Sequence, residues 1–233
     1  MQKTALVTGG NKGIGLETTR LLLELGFRVV VVARSFAPDQ LGELPALVKK
    51  PYDLTDIEGI PQLVAEIGPV QVLINNAGVM HSLPYDAYPQ EKLRGLMQLN
   101  IEAPVALIRE VSKSMLAEGG GRIVNNASIA GQIGHPDVWY GIAKAGLINA
   151  TKSFAKILGP GGIVINAVAP GPVDTDMLEV IPLPRREAIK SMVYSNRFAR
   201  ADEVARTMVW LATESPEYIN GTCLDINNGA FPR

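Results

Sequence analysis

Cysteine occurs once in the 233 residues, as Cys223, and histidine twice, as His81 and His135. One thiol closes no internal disulfide, so the chain suits a reducing compartment, and a cytoplasmic protein is expected. With so few soft ligands no recognisable zinc pattern forms, and no metal is expected. An excess of one charge is missing as well: 22 Lys+Arg stand against 23 Asp+Glu, a formal net charge of -1. Such a balance creates no global positive field for nucleic acid or an acidic membrane surface, so neither is an expected partner. Apolar stretches such as Phe27–Ala33 fall far short of the roughly 20 apolar residues a membrane-crossing helix needs. The start, Met1-Gln2-Lys3 running straight into Thr4–Val7, does not read as a signal peptide.

What the chain does have is an alternation. Short β-rich runs (Ala5–Val7, Val29–Val32, Val72–Ile74, Arg122–Asn125, Ile163–Val168) are separated by helical patterns at Leu16–Leu25, Glu91–Glu118, Tyr140–Leu158 and Ala201–Thr213. Continuous apolar strands interleaved with helices predict βαβ units, and hence an α/β, doubly wound parallel sheet with helices on both faces. A length of 233 residues suits one such domain, 1–233, without a separate substrate domain. Two stretches read as irregular: Ser35–Lys50, with Pro38, Gly42 and Pro45, and Met177–Asn196, with Pro182 and Pro184 among apolar residues.

The first strand is followed by Thr8-Gly9-Gly10-Asn11-Lys12-Gly13-Ile14-Gly15 and at once by a helical run. Glycines at 9, 13 and 15 let the backbone turn tightly and approach a diphosphate, while the helix N-terminus favours its charge. The pattern predicts a Rossmann fold holding a dinucleotide. The second strand ends Ala33-Arg34-Ser35, with no acid where NAD's ribose hydroxyl would be bound. Arg34, joined by Lys12, instead offers positive charge to a 2′-phosphate, so NADP(H) is the expected cofactor.

Three motifs then resemble the short-chain dehydrogenase/reductase family over nearly the whole chain: the glycine turn, Asn75-Asn76-Ala77-Gly78, and Tyr140-Gly-Ile-Ala-Lys144. The resemblance implies a catalytic tetrad of Asn100, Ser128, Tyr140 and Lys144. It also implies cofactor contacts from Gly9, Asn11, Lys12, Gly13, Ile14, Gly15, Arg34, Asp53, Leu54, Asn76, Ala77, Gly78, Tyr140, Lys144, Pro170, Gly171, Val173 and Thr175. Two departures stand out. The interval from Ser128 to Tyr140 is 140 − 128 = 12, one shorter than is common in the family, and the C-terminal strand ends Asp225-Ile-Asn-Asn-Gly229 where Asp-Gly-Gly is usual.

In such a site Tyr140 is the acid/base group. A free phenol has a pKa of about 10, so a cation one helical turn away, Lys144, is expected to favour the phenolate. Ser128 would hold the substrate oxygen, and Asn100 a water leading to Lys144. The expected activity is NADP(H)-dependent interconversion of a small-molecule carbonyl and its alcohol, acting on CH–OH groups. The resemblance extends to carbonyl reductases and to 3-oxoacyl thioester reductases, and an NADP(H)-sensing protein without catalysis is the alternative of another class. Residues 177–196 match the family's substrate-covering segment, with Trp139 adding aromatic wall. Arg185, Arg186 and Lys190 read either as a thioester-attracting patch or as a solvated basic face, and His135 as cleft wall or surface loop. The long helices imply a homodimer or homotetramer, with a second interface near Ala230-Phe231.

Overall fold

Among the described residues, runs rich in valine, isoleucine and leucine, four to eight residues long, make seven strands, all paired in parallel. They are β1 (Thr4–Thr8), β2 (Arg28–Ala33), β3 (Leu47–Pro51), β4 (Val72–Asn75), β5 (Gly121–Asn126), β6 (Ile163–Pro170) and β7 (Cys223–Ile226). The order across the sheet is β3-β2-β1-β4-β5-β6-β7, the doubly wound Rossmann arrangement the sequence predicts. A computed structural model of the chain describes residues 2–37 and 41–233; Pro38, one of the expected breakers, lies outside them.

Side chains alternate across the sheet, and each face has its own core. Leu6, Val30, Val32 and Leu73 pack with α2 (Ile60–Ile67), α4 (Ala103–Ala117) and the end of α5 (Val138–Leu158). Ala5, Val7, Val29, Val31 and Ile74 pack with α1 (Gly13–Glu24) and α7 (Ala201–Thr213). With both faces covered, the inner strands β1, β2, β4 and β6 bury nearly every residue, so they read as continuous apolar runs rather than alternating ones.

Two expectations change in detail. The pattern Glu91–Glu118 is not one regular helix: α3 (Gln90–Met97) passes through a π-helical turn, Gln98–Glu102, before α4 begins. Met177–Asn196 is more regular than its prolines suggest, forming a 3₁₀ turn at Asp176–Val180 and α6 (Leu183–Ser191). Pro182 is the N-cap of α6 and Pro184 lies in its first turn, where a missing N–H costs no helical hydrogen bond. Strand order reverses direction of growth between β1 and β4, which opens a crevice at the C-terminal edge of the sheet.

Candidate active site

The glycine turn sits at that crevice. Gly9 and Gly13 hold positive φ, 62° and 52°. At Gly15 a Cβ would stand 2.1 Å from the Gly9 carbonyl oxygen, so only glycine lets the turn fold onto the first turn of α1. No side chain caps α1, which leaves its first amides for a phosphate. The turn is tied down from both sides. Asn11 Nδ2 donates to the Ser35 carbonyl at 2.9 Å, and Asn76 Nδ2 to the Thr8 and Gly9 carbonyls at 3.1 and 3.2 Å. Thr8 Oγ1 accepts from the amides of Asn76 and Ala77. Residues 9–15 and 75–78, far apart in sequence, are therefore one wall, and these features fit a dinucleotide.

The remaining cofactor residues divide. Arg34 is exposed at the end of β2, with no ion pair among the described residues. Lys12 does not join it: its ammonium reaches across the groove to Asp176 at 2.9 Å, because Gly13 brings the turn against Thr175. Both partners are well exposed, so the pair is weak and exchangeable. Asp53 caps its own turn, accepting from Thr55 N and Oγ1, with Leu54 buried beside it. Pro170 ends β6, Gly171, Val173 and Thr175 follow it toward the 3₁₀ turn at Asp176–Val180, and Gly171 N donates to the Ile226 carbonyl at 2.9 Å.

Asp137, fully buried, is the N-cap of α5 and accepts from Tyr140 N at 3.2 Å. From there Tyr140 and Lys144 follow one turn apart, both buried. Lys144 Nζ donates to the Asn126 carbonyl at 2.6 Å and lies 5.7 Å from the Tyr140 ring centre. Ser128 caps a 3₁₀ turn, Ile129–Gly131, accepting from Ala130 N at 3.1 Å. A Cβ on Gly131 would meet the α5 backbone at 2.6 Å, so glycine lets the Ser128 turn lie on the helix. Asn100 is fully buried in the π turn. Its amide clamps Val79, accepting from the backbone N at 2.9 Å and donating to the O at 2.8 Å, and the π turn is what points it there. Ser128, Tyr140 and Lys144 thus gather around the start of α5, and Asn100 holds the loop after Gly78 beside Lys144.

Electrostatics also differ from the simple expectation. Burial pushes the Tyr140 phenol up to about 12, Ser128's hydrogen bond pulling down and Asp137's charge adding to the rise. Burial brings the Lys144 ammonium down to about 8. In the protein alone, desolvation is the largest cause for both groups, and both lean toward their neutral forms.

Over Tyr140 lies an apolar cluster: Met80, Leu96, Ala130 and Ala143 with Leu178 and Ile181, flanked by Trp139, Ile189 and Phe198. The Met177 sulfur is 4.0 Å from the Tyr140 hydroxyl. The end of this segment is fastened by the unusual C-terminus, Tyr194 N and Ser195 N both donating to Asn228 and the Tyr194 ring lying on Gly229. The Asn228 side chain, part of the departure from Asp-Gly-Gly, is thus one of the groups that hold residues 194–195.

Comparison with known proteins bears on this arrangement. The sequence pattern of the family described as short chain dehydrogenase matches residues 3–185. The chain belongs to the short-chain dehydrogenase family. Nodulation protein G of Azospirillum brasilense is 34% identical, with 98% of each chain covered. The 3-oxoacyl-(acyl-carrier-protein) reductase FabG of Haemophilus influenzae is also 34% identical, again over 98% of each chain. Among solved structures, ElxO with NADP bound superposes with a TM-score of 0.89 at 28% identity, covering 100% of both chains.

This dehydrogenase uses residues that sequence reasoning passed over: Thr8, Asn126 and Asp137, and Ser82, described below. Asn126 links the halves of the site, its carbonyl on Lys144 and its Nδ2 on Asn76 Oδ1 at 2.9 Å. The doubled asparagines at the ends of β4 and β5 were the available signal, since polar pairs at buried strand ends must find partners.

The buried Lys144 yields a test. Its folded pKa lies below the free value of 10.5, so burying the charged form costs stability below about pH 8, and the cost fades as pH rises toward 10.5. Between about pH 7 and 10 the parent's unfolding free energy should gain roughly 2 to 3 kcal/mol relative to Lys144→Met. Parallel curves in chemical denaturation would show the ammonium to be hydrated instead.

Proposed function

We propose that this dehydrogenase interconverts a small-molecule carbonyl and its alcohol with NADP(H), with Tyr140 as the proton-transferring group. The observation that carries the reading is the placing of buried Tyr140 and Lys144, one helical turn apart, beside the glycine turn at the sheet's C-terminal edge. When bound, the cofactor's nicotinamide supplies or takes up the hydride. Around it, Gly9, Gly13 and Gly15 give the diphosphate close approach, and Arg34 meets the 2′-phosphate. Tyr140 O–H gives its proton to the developing alkoxide, Ser128 Oγ–H orients the oxygen, and Lys144 holds positive charge beneath the phenol. The apolar cover from residues 177–196 excludes water.

The NADP and NADPH named with the ElxO structures support the cofactor choice. A 3-oxoacyl thioester is the second reading for the substrate, favoured by the FabG relatives. Residues Leu116, Ile142 and Ile157 leave apolar surface exposed on α4 and α5, which fits self-association through these helices. NADPH consumption against ketones, aldehydes and 3-oxoacyl thioesters tests the reading. Turnover of a thioester alone would select the second, and tight NADPH binding without any turnover would leave a cofactor-sensing protein.

Arg34→Gln supplies a further check. Losing one charge-assisted hydrogen bond should weaken NADPH by about tenfold to a hundredfold, while NADH affinity stays near its parental value. Titration by cofactor fluorescence measures both. An equal loss for the two cofactors would remove Arg34 from the 2′-phosphate site.

A further inference from the structure

The three basic residues of α6 have separate fates. Arg186 Nε donates to the Ile181 carbonyl at 2.7 Å, closing the turn that precedes it. Lys190 approaches Glu187 at 3.8 Å on the helix surface. Arg185 is partly buried, makes no ion pair among the described residues, and donates to Ser82 Oγ at 3.3 Å.

Ser82 is itself unusual. Its φ is 54°, a left-handed backbone that a residue other than glycine adopts only under local constraint. The constraint is Asp137, whose buried carboxylate accepts from Ser82 N at 2.8 Å and from His81 N at 3.2 Å. The same carboxylate starts the helix that carries Tyr140. One buried group therefore fixes both the proton donor and the hydroxyl on which Arg185 rests. Tyr88 O–H is a further donor, at 3.4 Å, so among the described residues its hydrogen bonds come from neutral donors and none from Arg185.

His135 completes the cluster. Its ring centre is 5.5 Å from that of Tyr140, and its Nδ1 faces the Asp137 backbone, 3.2 Å from N and 3.1 Å from O, so the ring's tautomer decides which of the two it bonds. Burial first, and then the nearby Arg185 charge, hold its pKa below the ordinary value, against the pull of the Asp137 backbone and charge.

We infer that Arg185, Ser82 and His135 form an anion subsite at the mouth of the Tyr140 cleft, and that the substrate is an oxo acid whose carboxylate docks there. The inference rests on the carbonyl-reducing reading above. A guanidinium in a strong-donor setting with no carboxylate of its own suits an incoming carboxylate, whose two oxygens match its fork. The apolar cluster beyond, with Trp139, Leu178 and Ile181, would take the chain between carboxylate and carbonyl.

Two measurements test this on the NADPH-loaded enzyme. In turnover, a series of medium-chain 3-, 4- and 5-oxo acids is compared with their methyl esters. At least one acid should show a KM about tenfold or more below its ester. Arg185→Gln should erase that preference by raising the acid's KM while kcat and the ester's KM change little, and Arg185→Lys should restore part of it. In binding, hexanoate should perturb tryptophan fluorescence at concentrations where hexanamide does not, and should cease to do so in Arg185→Gln. Equal KM values for acid and ester together with equal binding of hexanoate and hexanamide would overturn the subsite. Inorganic phosphate displacing hexanoate at low millimolar concentration would overturn the carboxylate in favour of a phosphorylated carbonyl. Arg185-dependent hexanoate binding without any carbonyl turnover would leave the subsite standing and remove the reaction instead.

Discussion

Tyr140→Phe should bind NADPH as the parent does and reduce carbonyls more slowly by a factor of about 10² to 10⁴, the usual worth of a positioned proton donor. The substitution removes one oxygen and keeps the ring, so the packing against His135 and the apolar cluster survives. Among the described residues the lost hydroxyl is partnered by Ser128 and by the Met177 sulfur at 4.0 Å, so stability should change by less than about 1 kcal/mol. Steady-state kinetics with a cofactor titration reads both quantities. A variant keeping most of its turnover would take the proton-transfer role from Tyr140, and His135 would be the next ring to test.

The direction of the shifts adds a pH signature. With its phenol up near about 12, Tyr140 keeps its proton throughout the neutral range and is a loaded donor for reduction. Lys144 is the group that changes charge in reach of neutrality, at about 8. Reduction should therefore hold level at lower pH and decline as pH rises through about 8, while alcohol oxidation, which needs the phenolate, should climb with pH.

The strands and the cofactor turn could be read from sequence because each is encoded locally: Val29–Val32 can be little else but a buried strand, and Gly9, Gly13 and Gly15 precede a helix at once. Tyr140 and Lys144 were legible for the same reason, being four residues apart on one face. What escaped depends on partners distant in sequence. Lys12 was expected to face Arg34, and only the fold shows Asp176, 164 residues away, drawing it across the groove. Asn100 was found as a residue, yet its bond to Val79 follows from a π turn that no residue type announces. Asp137 sat unremarked in the short Ser128–Tyr140 interval, where its capping of α5 and its hold on Ser82 become visible only once the 80–88 loop is folded over it. The edge strand β3 hid inside the stretch Ser35–Lys50 because Lys49 and Lys50 break its apolar run.

Gly15→Ala carries the other large expected effect. The added Cβ would stand 2.1 Å from the Gly9 oxygen, 2.5 Å from Asn76 Nδ2 and 2.8 Å from the Gly9 carbonyl carbon. Two of these atoms are backbone in a turn already held by Asn76 and Thr8, so relief requires the turn to move off α1. That movement displaces the amides offered to the diphosphate, and NADPH affinity should fall by more than about 100-fold, with a few kcal/mol of stability lost as well. Gly13→Ala separates the two consequences. There the Cβ meets the Thr175 side chain, its methyl at 3.3 Å and its Cβ at 3.7 Å, and the cost is a φ of 52° on a side-chain-bearing residue, about 1 to 2 kcal/mol. This milder variant should fold, bind NADPH several-fold more weakly and keep its Lys12–Asp176 neighbours. Cofactor fluorescence and denaturant titration on both variants give the comparison. Native NADPH affinity in a folded Gly15→Ala protein would mean that the diphosphate does not lie on this turn.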